Sequence, residues 1–246
     1  MNKNKFVSLF DERILKGVAH RGLWDEKNSE NSMGAFKRAI EHNVAIELDI
    51  HLTKDNDLVV IHDEDLKRLT GKDGVVEDLT VKELKENYTL MDGSLIPTFQ
   101  ELLDLVNEQV PLVIELKVFR KNYKELAKKV EEVLVKNMKN KKQYTLISFD
   151  PRSLLPLKKL GLARVLLVTH THLYVYNLFH FRFNGFDIED VLLEQKRFQK
   201  LHKRKFMNVW TIEREEQLNK VAPYVDTVTF QHLDPKDVRK ALEEKK

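Results

Sequence analysis

Apolar runs, too short for helices and too continuous for half-solvated strands, alternate along this chain with charged stretches whose apolar residues return every three or four positions. The runs are GVAHRG (17–22), AIELDI (45–50), PLVIELK (111–117), YTLISF (144–149), ARVLLV (163–168), GFDIE (185–189), KFMNVWTI (205–212) and DTVTFQ (226–231). Between them the spacing predicts helices over 32–43, 98–107, 123–137, 152–160, 192–203, 215–224 and 235–244. Strands that are apolar on both faces and separated by amphipathic helices imply parallel β/α units covered on both sides. Eight such units in 246 residues fit an α/β fold, the (β/α)8 TIM barrel. A doubly wound open sheet is the rival, and the lack of a glycine-rich dinucleotide fingerprint after any run counts against it.

One interval breaks the rhythm. Residues 51–110 separate the second and third runs, about twice an ordinary crossover, and contain a strand-like DLVVIHD (57–63), a turn-rich LTGKDGVVEDLT, a helical VKELKEN and a loop MDGSLIPT. We read residues 54–97 as an insertion that caps one mouth of a single barrel domain spanning 1–246.

Composition narrows the partners. A formal charge of +3 from 42 basic and 39 acidic residues gives no argument for nucleic acid. The absence of cysteine excludes disulfides, thiolate metal sites and a cysteine nucleophile, and it fits a reducing compartment. Asp11, Glu12 and Arg13 interrupt the start of the chain, so it does not read as a secretory signal, and no window resembles a spanning helix. The expected location is the cytoplasm, with any membrane contact peripheral.

Glu47 and Asp49 in IELDI lie two apart, so on a strand they share one face. In a barrel that face is interior, where two carboxylates repel and lose solvation unless something cationic answers them. Either a hard metal ion or nearby Arg and Lys side chains would do so. Glu115 ends the third run in the same manner, with Lys117 on its face. The carboxyl end of parallel barrel strands is the mouth that carries active sites. Three carboxylates without cysteine favour Mg2+ or Ca2+ over zinc. Lys117 suits an anionic substrate group or, alternatively, an outward lysine. His20 and His62 each close an apolar run and are the candidates for proton transfer, with Asp63 able to orient a histidine and Arg21 able to grip a phosphate. A lone histidine is more often structural. His170, His172 and His180 serve as the contrast, set in an aromatic stretch without a neighbouring acid.

Taken together, AHRG, ENSMGAFKRAIEH, AIELDIHLTKDNDLVVIHDEDLKRLTG, GVVEDLTVKEL, IPTFQELL and PLVIELK, in this order from Ala19 to Lys117, resemble the glycerophosphodiester phosphodiesterase family. NVWTIEREEQL is a fainter likeness to a late strand ending in Trp-Thr. The resemblance implies a (β/α)8 barrel with an insertion after its second strand. It implies His20 and His62 as the acid/base pair and a divalent cation held by Glu47, Asp49 and Glu115. It also implies phosphate contacts from Arg21 and Lys117, with Glu30 and Asn31 of SENS beside the site and Trp210 as a wall for the glycerol or alcohol. The expected reaction is hydrolysis of a small glycerophosphodiester to glycerol 3-phosphate and an alcohol. The nucleophile is the substrate's own hydroxyl or water, and we take His20 as the base.

Two stretches depart from the pattern. The family's last strand commonly ends ITD-P, whereas this chain reads VTFQHLDP, so Phe230, Gln231 and His232 stand where acidic and small residues are usual. THTHLYVYNLFHFRF (169–183) is unusually aromatic, suited to core packing or to an apolar wall or patch that accepts an acyl chain or a membrane. Basic stretches such as FRKNYKELAKK read as solvated helix faces or as contacts with an anionic lipid surface. Lysophospholipase D activity, and a non-catalytic headgroup-binding barrel of the same fold, are the alternatives.

Overall fold

The computed structural model describes residues 3–244. Among the described residues, nine strands form one sheet: β1 Val18–Ala19, β2 Ala45–Leu52, β3 Leu58–Val60, β4 Leu112–Leu116, β5 Tyr144–Ser148, β6 Ala163–Val168, β7 Gly185–Glu189, β8 Phe206–Ile212 and β9 Thr227–Phe230. Eight of them pair in parallel, in the order β1-β9-β8-β7-β6-β5-β4-β2, and pairing of β1 with β2 closes the ring. The closed barrel is the one expected from the eight apolar runs. The ninth strand, β3, folds back antiparallel on β2.

Alternation along each strand sorts the side chains into two cores. Ile46, Leu48, Ile50, Ile114, Leu146, Leu166, Phe186 and Val209 face outward and pack with Phe36, Phe99, Leu126 and Val238 from the surrounding helices. The opposite parity faces the barrel axis. There Val18, Ala45, Val113, Ile147, Val165 and Phe206 meet Phe10 and Ile14, which arrive from the N-terminal segment. Phe10 stacks on Phe206 with centroids 3.8 Å apart. Most of these inward residues sit toward the start of their strands, and inward positions further along are polar: Glu47, Asp49, Glu115, Asp187 and Asn208. The barrel is therefore apolar at its floor and charged at its upper mouth.

Helix starts follow local chemistry. Ser32 accepts from the Ala35 amide ahead of Met33–Glu41, and Thr98 with Glu101 forms a reciprocal cap on Phe99–Val106. Asp150 and Asp234 each cap a helix that opens on proline, Pro151–Leu154 and Pro235–Glu243. Two expected helices are broken. The one over 152–160 becomes Pro151–Leu154 followed by a 3-10 turn Pro156–Leu160, because Pro156 cannot donate into the ladder. The one over 192–203 splits at Gln195, which is extended, into a 3-10 turn Asp190–Glu194 and a helix Lys196–Leu201. The aromatic stretch holds a helix, Leu173–Phe179, that the spacing did not predict.

Between β2 and β4 the chain carries β3, a short helix Lys67–Thr70, a 3-10 turn Val76–Asp78 and a capped helix Val81–Asn87. This excursion has a small core of its own, built from Val59, Ile61, Leu66, Leu69, Val76, Leu84, Leu90 and Ile96. The hairpin joins it to the barrel. The Ile61 amide donates to the Asp49 carbonyl at 3.1 Å, which brings the next residue, His62, back over the mouth.

Candidate active site

Strand register assembles the acids. Asp49 on β2 lies directly across from Glu115 on β4, and Glu47 sits two residues earlier on the same inward face. One oxygen from each of Glu47, Asp49 and Glu115 lies within 4.8 Å of the others, and all three residues are buried. Burial, then repulsion from Asp49 and Glu115, pushes the Glu47 carboxyl well above the usual range. Burial also raises Glu115, against the pull of Lys117. Burial alone would raise Asp49 as well, but Lys117 and Arg21 outweigh it and hold that carboxyl low.

Two cations answer the acids. Lys117 Nζ lies 3.0 Å from Glu115 and 3.2 Å from Asp49, and these partners raise its pKa despite burial. Arg21 is held in the left-handed region, with φ 57, so its amide donates to Glu47 at 3.1 Å while its guanidinium turns to Glu30 at 2.6 Å and to Asp49 at 3.4 Å. Arg and Lys side chains do face the acidic cluster, as one of the two expectations had it, and its donor set could also hold a hard divalent ion. Three buried carboxylates around one point, one of them raised by burial and by the other two, suit a divalent cation between them.

The imidazoles flank this cluster and differ in their second partner. His20 Nε2 is 4.0 Å from Glu47 Oε2, and its Nδ1 is 2.6 Å from the side-chain oxygen of Gln231. Burial, followed by the nearby Arg21 charge, lowers His20 to about 4. His62 Nδ1 is 2.5 Å from Asp63 Oδ1. Burial lowers His62 too, opposed by Asp49, while Lys117 and Arg21 add to the fall. Asp63 sits at about 2: burial works against ionisation, but hydrogen bonds from Arg68 and His62 prevail.

Glu30 and Asn31 reach other site residues. Glu30 takes Arg21 on one side and a two-pronged contact from Arg68 on the other, at 2.8 and 3.0 Å. Asn31, also left-handed with φ 56, donates to Asp49 at 2.9 Å. Trp210 stands edge-on to Phe149, and Phe149 lines a cleft of about 760 Å³ that runs from Glu115 and Lys117 past Arg152 to Tyr174 and Phe179. Tyr176 and Phe179 of the aromatic helix pack on the outer core, while Tyr174, Leu178 and Phe181 are about three-fifths exposed. His170 meets an acid after all, Glu189 at the end of β7, at 2.6 Å.

Several residues escaped the reading from sequence. Arg68 ties Asp63 to Glu30, and nothing local marks it. His51 bonds Glu77 and the His62 carbonyl, fixing the hairpin return. Asp187 had a visible signal: it shares the inward parity of Glu115 in an apolar run.

Comparison with known proteins accords with this barrel and mouth. Residues 20–234 match the family model described as the glycerophosphoryl diester phosphodiesterase family, and the chain belongs to that family. It is a glycerophosphodiester phosphodiesterase, a phosphoric diester hydrolase. A glycerophosphodiester phosphodiesterase of Caldanaerobacter subterraneus subsp. tengcongensis is 35% identical over 83% of this chain and 88% of its own. The crystal structure of glycerophosphodiester phosphodiesterase from Thermotoga maritima is 30% identical, with a TM-score of 0.73 over 92% of this chain and 97% of that one. Human lysophospholipase D GDPD1 is 34% identical over 53% of this chain and 46% of its own.

Proposed function

We propose that the chain hydrolyses glycerophosphodiesters with a divalent cation, Mg2+ or Ca2+, and a His20/His62 proton-transfer pair, within a single barrel domain spanning 1–246 whose insertion at about 54–97 carries His62. The observation that supports this most is the meeting of three acids, two imidazoles and two cations at one strand-end mouth. Glu47, Asp49 and Glu115 would hold the ion, which when bound supplies positive charge against the oxygens of the phosphoryl group. Arg21 and Lys117 bind the phosphate and gain strength as attack builds negative charge there, so they favour the transition state over the ground state. Lys117 must loosen its hold on Glu115 and Asp49 to do so, and a neutralised acid cluster permits that.

One imidazole takes the proton from the attacking oxygen, whether water or the substrate's glycerol hydroxyl. The other gives a proton to the departing alcohol, leaving glycerol 3-phosphate at the end. Asp63, held by Arg68, fixes the ring of His62. Glu30 and Asn31 hold Arg21 and Asp49 in place.

Turnover of glycerophosphocholine and glycerophosphoethanolamine by the purified protein, with Mg2+, Ca2+ or EDTA, tests the reading. His20→Ala and His62→Ala should each lose about 100-fold or more in kcat. Full activity in EDTA, or in either variant, refutes it.

A second reading has its own observation. The cleft beside Lys117 is walled by Phe149, Val175 and Phe179 and reaches Tyr174, which is exposed along with Leu178 and Phe181. That wall suits an acyl chain, and the exposed stripe suits weak contact with a lipid surface, which would make the enzyme a lysophospholipase D. Tyr174→Ser together with Phe149→Ser would then lower kcat/KM for a lysophospholipid while sparing glycerophosphocholine. An equal effect on both substrates removes this second reading.

A further inference from the structure

The two imidazoles are gripped differently. His62 faces a carboxylate. His20 faces an amide, Gln231. Beyond that amide lies an acid after all: the Gln231 amide nitrogen donates to Glu213 Oε1.

The three residues form one row at the barrel mouth. Ala19, Phe230 and Ile212 are the last residues of β1, β9 and β8, and the register pairs Ala19 with Phe230 and Phe230 with Ile212. His20, Gln231 and Glu213 each come one residue later. Main-chain bonds hold the row: the His20 amide donates to the Phe230 carbonyl at 2.9 Å, and the Gln231 amide to the Ile212 carbonyl at 3.0 Å.

Hydrogen-bond polarity then propagates along the row. A carboxylate has only acceptor atoms, so Glu213 must receive the amide NH2 of Gln231. That fixes the orientation of the glutamine, whose oxygen is left to face His20. An amide oxygen accepts only, so Nδ1 of His20 must carry the hydrogen. Neutral imidazole has a single N–H, and Nε2, the nitrogen 4.0 Å from Glu47, therefore presents a lone pair to the mouth.

We propose that Glu213 and Gln231 are positioning residues that lock His20 in the Nδ1–H tautomer and so make His20 the base of the reaction. The assignment rests on the acid/base reading above and decides between its two histidines. His62, backed by the Asp63 carboxylate, is left as the partner that carries the proton to the departing alcohol.

The test uses the full chain with its divalent ion and glycerophosphocholine. Gln231→Met keeps the side-chain length but removes both hydrogen bonds, and kcat should fall about 10- to 100-fold with KM changed less than about twofold. Glu213→Gln can donate as well as accept, so the orientation of Gln231 is no longer forced, and kcat should fall about 3- to 10-fold. On the Gln231→Met background the Glu213→Gln change should add nothing, because the row is already cut. The exchanged pair Gln231→Glu with Glu213→Gln keeps an acceptor on Nδ1 and should recover to within about threefold of the parent. Nitrogen NMR of histidine-labelled protein reads the tautomer without turnover: His20 should show Nδ1–H in the parent and a mixture in Gln231→Met.

Nε2–H on His20 in the parent, or unchanged kcat in Gln231→Met, overturns the proposal. Additive losses in the double variant, with no recovery in the exchanged pair, would do the same by showing two unrelated structural effects. The acid/base reading fails separately, since it requires His20→Ala to be inactive whatever the glutamine does. Glu213 is exposed, so its variant reports even if the change at Gln231 harms folding.

Discussion

Asp187 is a carboxylic acid sealed inside the barrel, and removing its ability to ionise should stabilise the protein. Burial pushes it from an ordinary 3.8 up to about 8, with a smaller push from Glu115 and a hydrogen bond with Asn208 acting the other way. Its Oδ1 and the Oδ1 of Asn208 have no hydrogen-bond partner. At pH 7 the folded protein therefore holds a proton on Asp187 that the unfolded chain has released. Stability from this group is highest below pH 3.8 and is lost as pH rises toward 8, because throughout that window the native state binds the extra proton. From 3.8 to 7 is about three decades of proton activity at about 1.4 kcal/mol each, an upper bound of about 4 kcal/mol. Relaxation around the group reduces the penalty, and a gain of about 1–3 kcal/mol at pH 7 is expected for Asp187→Asn. The introduced amide is nearly isosteric, cannot ionise, and can donate to the vacant Asn208 oxygen. Urea unfolding at pH 5, 6, 7 and 8 in EDTA measures it. The stability difference between variant and parent should grow with pH, since every other titrating group is common to both. A difference that stays flat, or a variant less stable at every pH, refutes the reasoning.

Two further outcomes are expected. Mg2+ or Ca2+ at about 100 times its Kd should add about 3 kcal/mol and raise Tm by roughly 6–12 °C in a thermal scan; the shift should shrink as pH falls, because Glu47 is held protonated more readily than an ordinary glutamate, and Glu47→Gln should nearly abolish it. Gly22→Ala should cost about 1–3 kcal/mol by urea unfolding, since Gly22 has φ +83 and an added Cβ would lie 2.9 Å from the Ala35 side chain and 3.0 Å from its carbonyl carbon.

The barrel was legible because strands covered on both faces must be apolar throughout, so ARVLLV and PLVIELK stand out and a carboxylate within such a run is conspicuous. The two-residue spacing of Glu47 and Asp49 was enough to place them on one face, Glu115 stood out at the end of its own apolar run, and strand register sets it across from Asp49. The helix Leu173–Phe179 was illegible for a physical reason: its outer side carries Tyr174, Leu178 and the following Phe181, so the polar face that would reveal a helical period is missing. Arg68 and Glu213 were hidden otherwise. Each acts on residues far along the chain, Glu30 and Gln231, and an exposed charged residue looks the same in sequence whether or not it has such a partner. Asp187 was overlooked although its parity gave it away.

The excursion after β2 places His62 on a body with its own small core, while His20 and the three acids belong to the barrel. Local opening of that smaller body needs far less exposure of apolar surface than melting the barrel. On warming, the enzyme should pass through a species that keeps His20 and the three acids in place, yet has lost His62, the donor proposed above for the leaving alcohol. Loss of turnover then runs ahead of loss of barrel structure, and a ligand that bridges Arg21 and the hairpin return would protect activity more than it protects the fold.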